Sequence, residues 1–145
     1  MKDNVNPTGK LKITLRDSDG NIKEQREVKN LVVNAGKEFI ASRMNAATMS
    51  PISHMAVGSG SATAIVTDTT LGTQISRVAL TSVAVLSRTL TFTATFPAGV
   101  GSGALTEAGL FNAASGGTML ARTTFGVFNK QATDVLTIEW DVTIN

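Results

Sequence analysis

Alternating carboxylates in Asp17-Ser-Asp-Gly-Asn21 are the first residues along the chain whose types and spacing could do chemistry, because such oxygens followed by glycine can wrap a hard cation such as calcium. The calcium-loop spacing fails. Gly20 stands at the fourth position instead of the sixth, and Val28 occupies the twelfth, where a glutamate is needed. A solvated hairpin turn is expected instead, since Asp, Asn, Ser and Gly are turn-closing residues. His54, the single histidine, sits beside Met55 and Val57 in a strand-like segment. With no cysteine and no second histidine it cannot build a His-rich zinc site, and no Gly-x-Ser-x-Gly elbow offers it a nucleophile, so a structural role is expected. Gly99-Val-Gly-Ser-Gly103 lacks both the lysine of a phosphate-binding loop and the spacing of a dinucleotide fingerprint. Following Pro97, it reads as a flexible loop between strands.

Glu107 is the most informative carboxylate. It lies inside the apolar segment Leu105-Thr-Glu-Ala-Gly-Leu-Phe111, where an unpaired charge is expensive to bury. Its candidate partners are Arg122, on the expected neighbouring strand, and Arg77, and a pair within one subunit is expected in preference to one across an interface. The paired acids of a glycosidase are not identifiable, because the other carboxylates fall in turns or on alternating polar faces. No catalytic, cofactor-binding or metal-ligating residue is therefore assigned, and the chain is expected not to be an enzyme.

The elements that must position these groups come from 145 residues, a length suited to one domain. Six phenylalanines, one tryptophan (Trp140) and no tyrosine leave small and β-branched residues to fill much of the interior. Abundant Thr and Val bias the class toward β, since branching at Cβ suits extended backbone. Thirteen basic and eleven acidic residues give a formal charge of +2, scattered without a basic stripe, which argues against nucleic-acid binding. No apolar run reaches the ~18 residues that span a bilayer, and Met1-Lys-Asp-Asn-Val-Asn-Pro7 is too polar for a signal peptide. A soluble product made in a cytoplasm, without membrane partner or small-molecule substrate, is expected.

Residues 1–8 read as an extended N-terminal arm and residues 9–145 as the folded domain. Residues 10–16 alternate with period 2, and the charged segment 22–28 reads as the exposed return strand of a hairpin. Between 34 and 47, Ala35, Phe39, Ile40, Met44 and Ala47 fall near helical intervals, with Asn34 as the N-cap and Ser50-Pro51 as the stop. A short strand over 52–57 precedes a long flexible loop through Gly58-Ser-Gly-Ser-Ala-Thr-Ala64 and Asp68-Thr-Thr-Leu-Gly72, of a length associated with function or interfaces. Strands are then expected over 77–85, 89–96, 105–111, 119–125 and 135–144, with the glycines Gly116 and Gly117 turning the chain between 111 and 119. The fold class is mainly β: a single-domain two-sheet β-sandwich, jelly-roll-like, of about eight strands with one short α-helix.

Ser53-His-Met-Ala-Val-Gly-Ser-Gly60, Asp68-Thr-Thr-Leu-Gly-Thr-Gln-Ile-Ser-Arg77, Leu90-Thr-Phe-Thr-Ala-Thr-Phe-Pro97, Leu105-Thr-Glu-Ala-Gly-Leu-Phe111 and Met119-Leu-Ala-Arg122 follow one another in an order that resembles small β-rich virion proteins of tailed phages. The resemblance covers roughly residues 30–145. It implies a capsid decoration (cement) protein, located on the capsid surface of the virion, with the major capsid protein as partner, self-association there, and no active site or cofactor. No long repetitive shaft is present, which favours a head protein over the alternative, a tail fibre, baseplate or adaptor module. A carbohydrate-binding sandwich is the second alternative, opposed by the shortage of Trp and Tyr for stacking on sugar rings. The expected interface residues are Val5 and Pro7 of the arm and Ser59, Ala62, Ile65, Val66 and Thr70 of the long loop.

Overall fold

A computed structural model describes residues 7–44 and 49–145. Strands β1 (Pro7–Arg16) and β2 (Ile22–Lys29) form a hairpin, and a two-residue strand β3 (Leu31–Val32) leads into helix α1 (Asn34–Arg43). Then come β4 (His54–Gly58), β5 (Gln74–Ala79), β6 (Ser82–Leu86), β7 (Thr89–Phe96), β8 (Gly103–Phe111), β9 (Met119–Lys130) and β10 (Val135–Ile144). They make two five-stranded sheets, ordered β2-β1-β10-β7-β6 and β3-β9-β8-β4-β5, with antiparallel neighbours throughout. The two-sheet sandwich expected from the alternation is present, with ten strands where about eight were expected.

Alternation decides which side chains meet between the sheets. Leu11, Ile13 and Leu15 of β1, Phe92, Ala94 and Phe96 of β7, and Leu136, Ile138, Trp140 and Val142 of β10 point inward from the first sheet. Met55, Val57, Leu105, Leu110, Leu120 and Phe128 meet them from the second. The lone tryptophan, Trp140, is 0% exposed at the centre of this layer. On the outer face of the first sheet the same alternation sets out threonines, which bond across strands: Thr89 to Thr143 at 2.8 Å, and Thr91 to Asp141 at 2.7 Å.

Several boundaries differ from the sequence expectation: β4 covers His54–Gly58 where 52–57 was expected and β8 begins at Gly103 instead of Leu105, while the other differences have local reasons. Pro7 and Thr8 belong to β1, opposite Ile144 and Thr143, so the arm does not extend through residue 8; proline is tolerated at the first position of a strand, where its missing N–H withdraws nothing from the ladder. The helix is capped by Val33, not Asn34: the Lys37 amide already bonds the Val33 carbonyl, while the Asn34 amide is taken by the carbonyl of Val66. It ends at Arg43, and the expected member Ala47 lies outside the described residues. The expected strand over 77–85 is two strands in different sheets, because Leu80 and Thr81 cross the sandwich edge, with the Leu80 amide on Ser53 and the Thr81 amide on Thr93. Finally, β9 runs on past Phe125 to Lys130, where the lysine ammonium is buried and donates to the Pro97 carbonyl at 3.0 Å.

The predicted turns hold. Asp17 accepts from the amides of Asp19 and Asn21, closing the β1–β2 hairpin. Gly116 (φ 61°) and Gly117 (φ 72°) occupy the left-handed region that the β8–β9 connection needs.

Candidate functional site

The outer face of the second sheet holds a buried ionic centre, assembled by register. Gly58 of β4 and Thr124 of β9 flank Glu107, while Ala56 and Arg122 flank Gly109 two residues on. Glu107 and Arg122 are thus diagonal neighbours on adjacent strands of one face, within reach of long side chains. An irregularity in the β8–β9 register between Leu105 and Glu107 accompanies the switch from the inward-facing leucine to the outward-facing acid.

The Glu107 carboxylate is 0% exposed and saturated with donors. Its Oε1 accepts from Arg122 Nη2 at 3.0 Å, Arg122 Nε at 3.2 Å and the Gly72 amide at 2.8 Å. Its Oε2 accepts from the amides of Gly60 at 2.6 Å and Thr73 at 2.8 Å. Burial alone would raise the Glu107 carboxyl; the amides of Thr73, Gly72 and Gly60 and the Arg122 guanidinium together outweigh it and hold the group below the usual carboxylate range. With both oxygens engaged, the acid is positioned to organise backbone and has little capacity left to take a proton or a cation.

Arg122 extends the centre outward, donating to Asp68 Oδ2 at 2.9 Å and to the Ala62 carbonyl at 3.0 Å. Asp68 in turn accepts the Ile65 amide, and Thr106 Oγ1 donates to the Gly60 carbonyl. Residues 59–73 are therefore pinned at their start, middle and end by one acid and one base. Leu71 completes the attachment by packing with Ala56, Phe111, Met119 and Val33 in a second apolar cluster beneath the loop. Expected to be a flexible loop, the segment is a fastened one. A side chain at Gly60 would overlap the Glu107 carboxylate, so glycine is what permits the close approach.

The loop's outer surface carries the predicted interface residues. Ser59, Ala62, Ile65, Val66 and Thr70 are all exposed, with Ile65 at 55% and Val66 at 42%. Pro7 is not brought to them; it lines a separate shallow groove with Ile40, Met44 and Ile144. Val5 lies outside the described residues. The predicted pair Glu107–Arg122 is brought together within the chain, whereas Arg77 is engaged elsewhere, its guanidinium 3.6 Å over the Phe111 ring and donating to the carbonyls of Ala113 and Gly116. Sequence reasoning missed Asp68, Gly60, Gly72 and Thr73 as members of the centre.

The remaining chemistry-bearing residues sit in ordinary surroundings. His54 is half-buried on β4, with its Nδ1 2.8 Å from Ser53 Oγ. Gly99-Val-Gly-Ser-Gly103 forms the β7–β8 connection, tied down by the Gly99 amide on Ala132. Asp134 is held below the usual carboxylate range by hydrogen bonds from the Lys23 ammonium and the Gln131 amide, which link β2 to the turn before β10. Compared with known proteins, the chain matches no family model, no curated protein and no solved structure.

Proposed function

We propose that the protein is a phage capsid decoration protein, which binds the assembled lattice of the major capsid protein and stabilises the head by non-covalent bridging. One observation carries the reading: a long loop, locked by a buried carboxylate and guanidinium, holds Ile65 and Val66 in solvent on a fixed support. A preordered apolar loop loses little conformational entropy on docking, which is how a modest surface gains affinity. The order of motifs resembling small tailed-phage virion proteins supports the same reading.

The mechanism is mass action. A ligand that binds only the expanded shell stabilises it by about 2.7 kcal/mol per site when free at ~100 times its dissociation constant. Repetition over a lattice multiplies that effect against internal pressure. The carbohydrate-binding alternative loses ground, because all six phenylalanines and Trp140 are buried or half-buried and none offers an open ring face.

The test is binding to purified expanded capsids, read as occupancy by quantitative gel and as the rise in capsid melting temperature. The folded Ile65→Asp and Val66→Asp variants should lose occupancy at least tenfold. Copy number in virions on the order of hundreds supports decoration, while a handful per particle would reassign the chain to the tail.

A further inference from the structure

Of the four outer strands of the sandwich, three are protected against pairing with another sheet and one is not. The β2 edge carries Lys23, Glu24, Arg26, Glu27 and Lys29; the β3 edge is two residues long; the β5 edge carries Arg77. Charge and brevity are the usual devices that keep edges apart. The β6 edge, Ser82-Val-Ala-Val-Leu86, has no such device: residues 79–87 hold no charge and no proline, and every residue of the strand is exposed.

Register shows which backbone groups this edge offers. Leu86 and Thr89 close a two-residue hairpin, so Leu86, Ala84 and Ser82 bond inward to β7. By the same alternation the N–H and C=O groups of Val83 and Val85 point outward to the free edge. Their side chains share a face with Phe92 and Leu90, the interior face of the sheet, yet are 48% and 68% exposed. Among the described residues the core is open here. A groove of about 490 Å³ lies beneath, lined by Phe39, Ile40, Ile52, Val83, Leu90 and Phe92, with Arg43 at its rim already donating to the Met49 carbonyl.

We infer that β6 pairs with β6 of a second copy, antiparallel about a two-fold axis through Ala84, joining the two first sheets into one. The strand is self-complementary in that register. Val83 faces Val85 of the second copy and Val85 faces its Val83, so the outward groups of each strand meet partners at matching positions. Charge favours the same occupant: two copies of an uncharged strand meet without repulsion, whereas a charged segment would find no counter-charge along residues 79–87. The ladder is about 17 Å long. A single five-residue ladder with the covered groove mouths is small beside the ~800 Å² per partner of a standard interface, which puts it in the class of weak, reversible contacts. This inference is independent of the capsid reading.

The test uses light scattering and sedimentation of the full chain from about 1 to 200 μM, the range over which weak, reversible dimers form. Wild type should pass from monomer to dimer. Val85→Lys and Val83→Glu should each weaken the dimer more than tenfold while keeping the folded circular dichroism spectrum, and Val85→Lys, at the more exposed of the two sites, should leave melting unchanged as well. The double variant V83E/V85K should regain it, because each new carboxylate then faces a new ammonium across the axis. The chain has no cysteine, so Ala84→Cys gives a unique thiol; facing residues of a non-hydrogen-bonded pair lie ~4.5 Å apart at Cα, within disulfide reach. It should cross-link, and Glu27→Cys on the charged β2 edge should not. A monomeric wild type throughout the range, a dimer indifferent to Val85→Lys, or cross-linking at position 27 but not 84 would overturn the inference. So would a monomer whose binding to capsids is abolished by Val85→Lys, which would assign the edge to a different protein.

Discussion

At Glu107 the cost of burying a charge decides the local structure. Five donors converge on one carboxylate, and the arrangement holds only while the acid is ionised. Glu107→Gln keeps the size but leaves Arg122 buried beside a neutral group, and should cost about 3 kcal/mol in urea unfolding, the lower end for breaking a buried pair. The pH dependence has a definite sign. The group titrates lower in the folded chain than its unfolded value of ~4.3, so its stabilisation is complete above that value and drains away as pH falls through the folded one. Between pH 7 and 3 the wild type should therefore lose more stability than Glu107→Gln. Asp134, depressed chiefly by the Lys23 ammonium, contributes with the same sign in both proteins and cancels in the comparison. The pairing of Glu107 with Arg122 was legible in sequence, because an acid in an apolar strand demands a base. Its amide donors were not, since Gly60, Gly72 and Thr73 are brought in by a loop whose path no periodicity describes.

Among the elements, the loop over 59–73 and the crossing at Leu80 and Thr81 show where strand-pattern reasoning stops. Residues 77–85 read as one extended run because a chain that passes between sheets keeps its β geometry and its apolar content. Only the hydrogen bonds of Leu80 to Ser53 and Thr81 to Thr93 reveal the change of layer. Spacing locates the helix, but its cap is Val33 and not Asn34, because the Lys37 amide bonds the Val33 carbonyl, which leaves the Asn34 amide to the Val66 carbonyl in the loop. Loop and helix are thus coupled. Gly60→Ala should push the carboxylate out of place and lower stability by about 1–3 kcal/mol, the penalty for disturbing a buried hydrogen-bonded group. Hydrogen exchange should locate the damage, with protection lost at the amides of Gly60, Gly72 and Thr73 and kept in β1 and β10.

For the whole molecule, class was readable and connectivity was not. Faultless alternation in 89–96 and 136–144 dictates two half-buried faces, and two such faces must pack together. The path is not encoded that way: the chain lays β1 and β2 in one sheet, β3 to β5 in the other, returns for β6 and β7, crosses for β8 and β9, and ends in the first. Trp140, fully enclosed between the layers, makes the global state visible; its emission should be blue-shifted when folded and move red in a single cooperative step. Trp140→Ala should cost about 3–5 kcal/mol by the cavity it leaves.

β1 lies beside β10 along its whole length, from Pro7 opposite Ile144 to Arg16 opposite Val135. The β1–β2 hairpin must therefore wait for a strand made more than a hundred residues later, and the first sheet lacks its central member until residues 135–144 have been synthesised. Such long-range closure places folding in the slow, millisecond-to-second regime of high contact order. Each nascent chain carries the open edges of β1 and β7 through that interval, a window in which chaperone capture decides its yield.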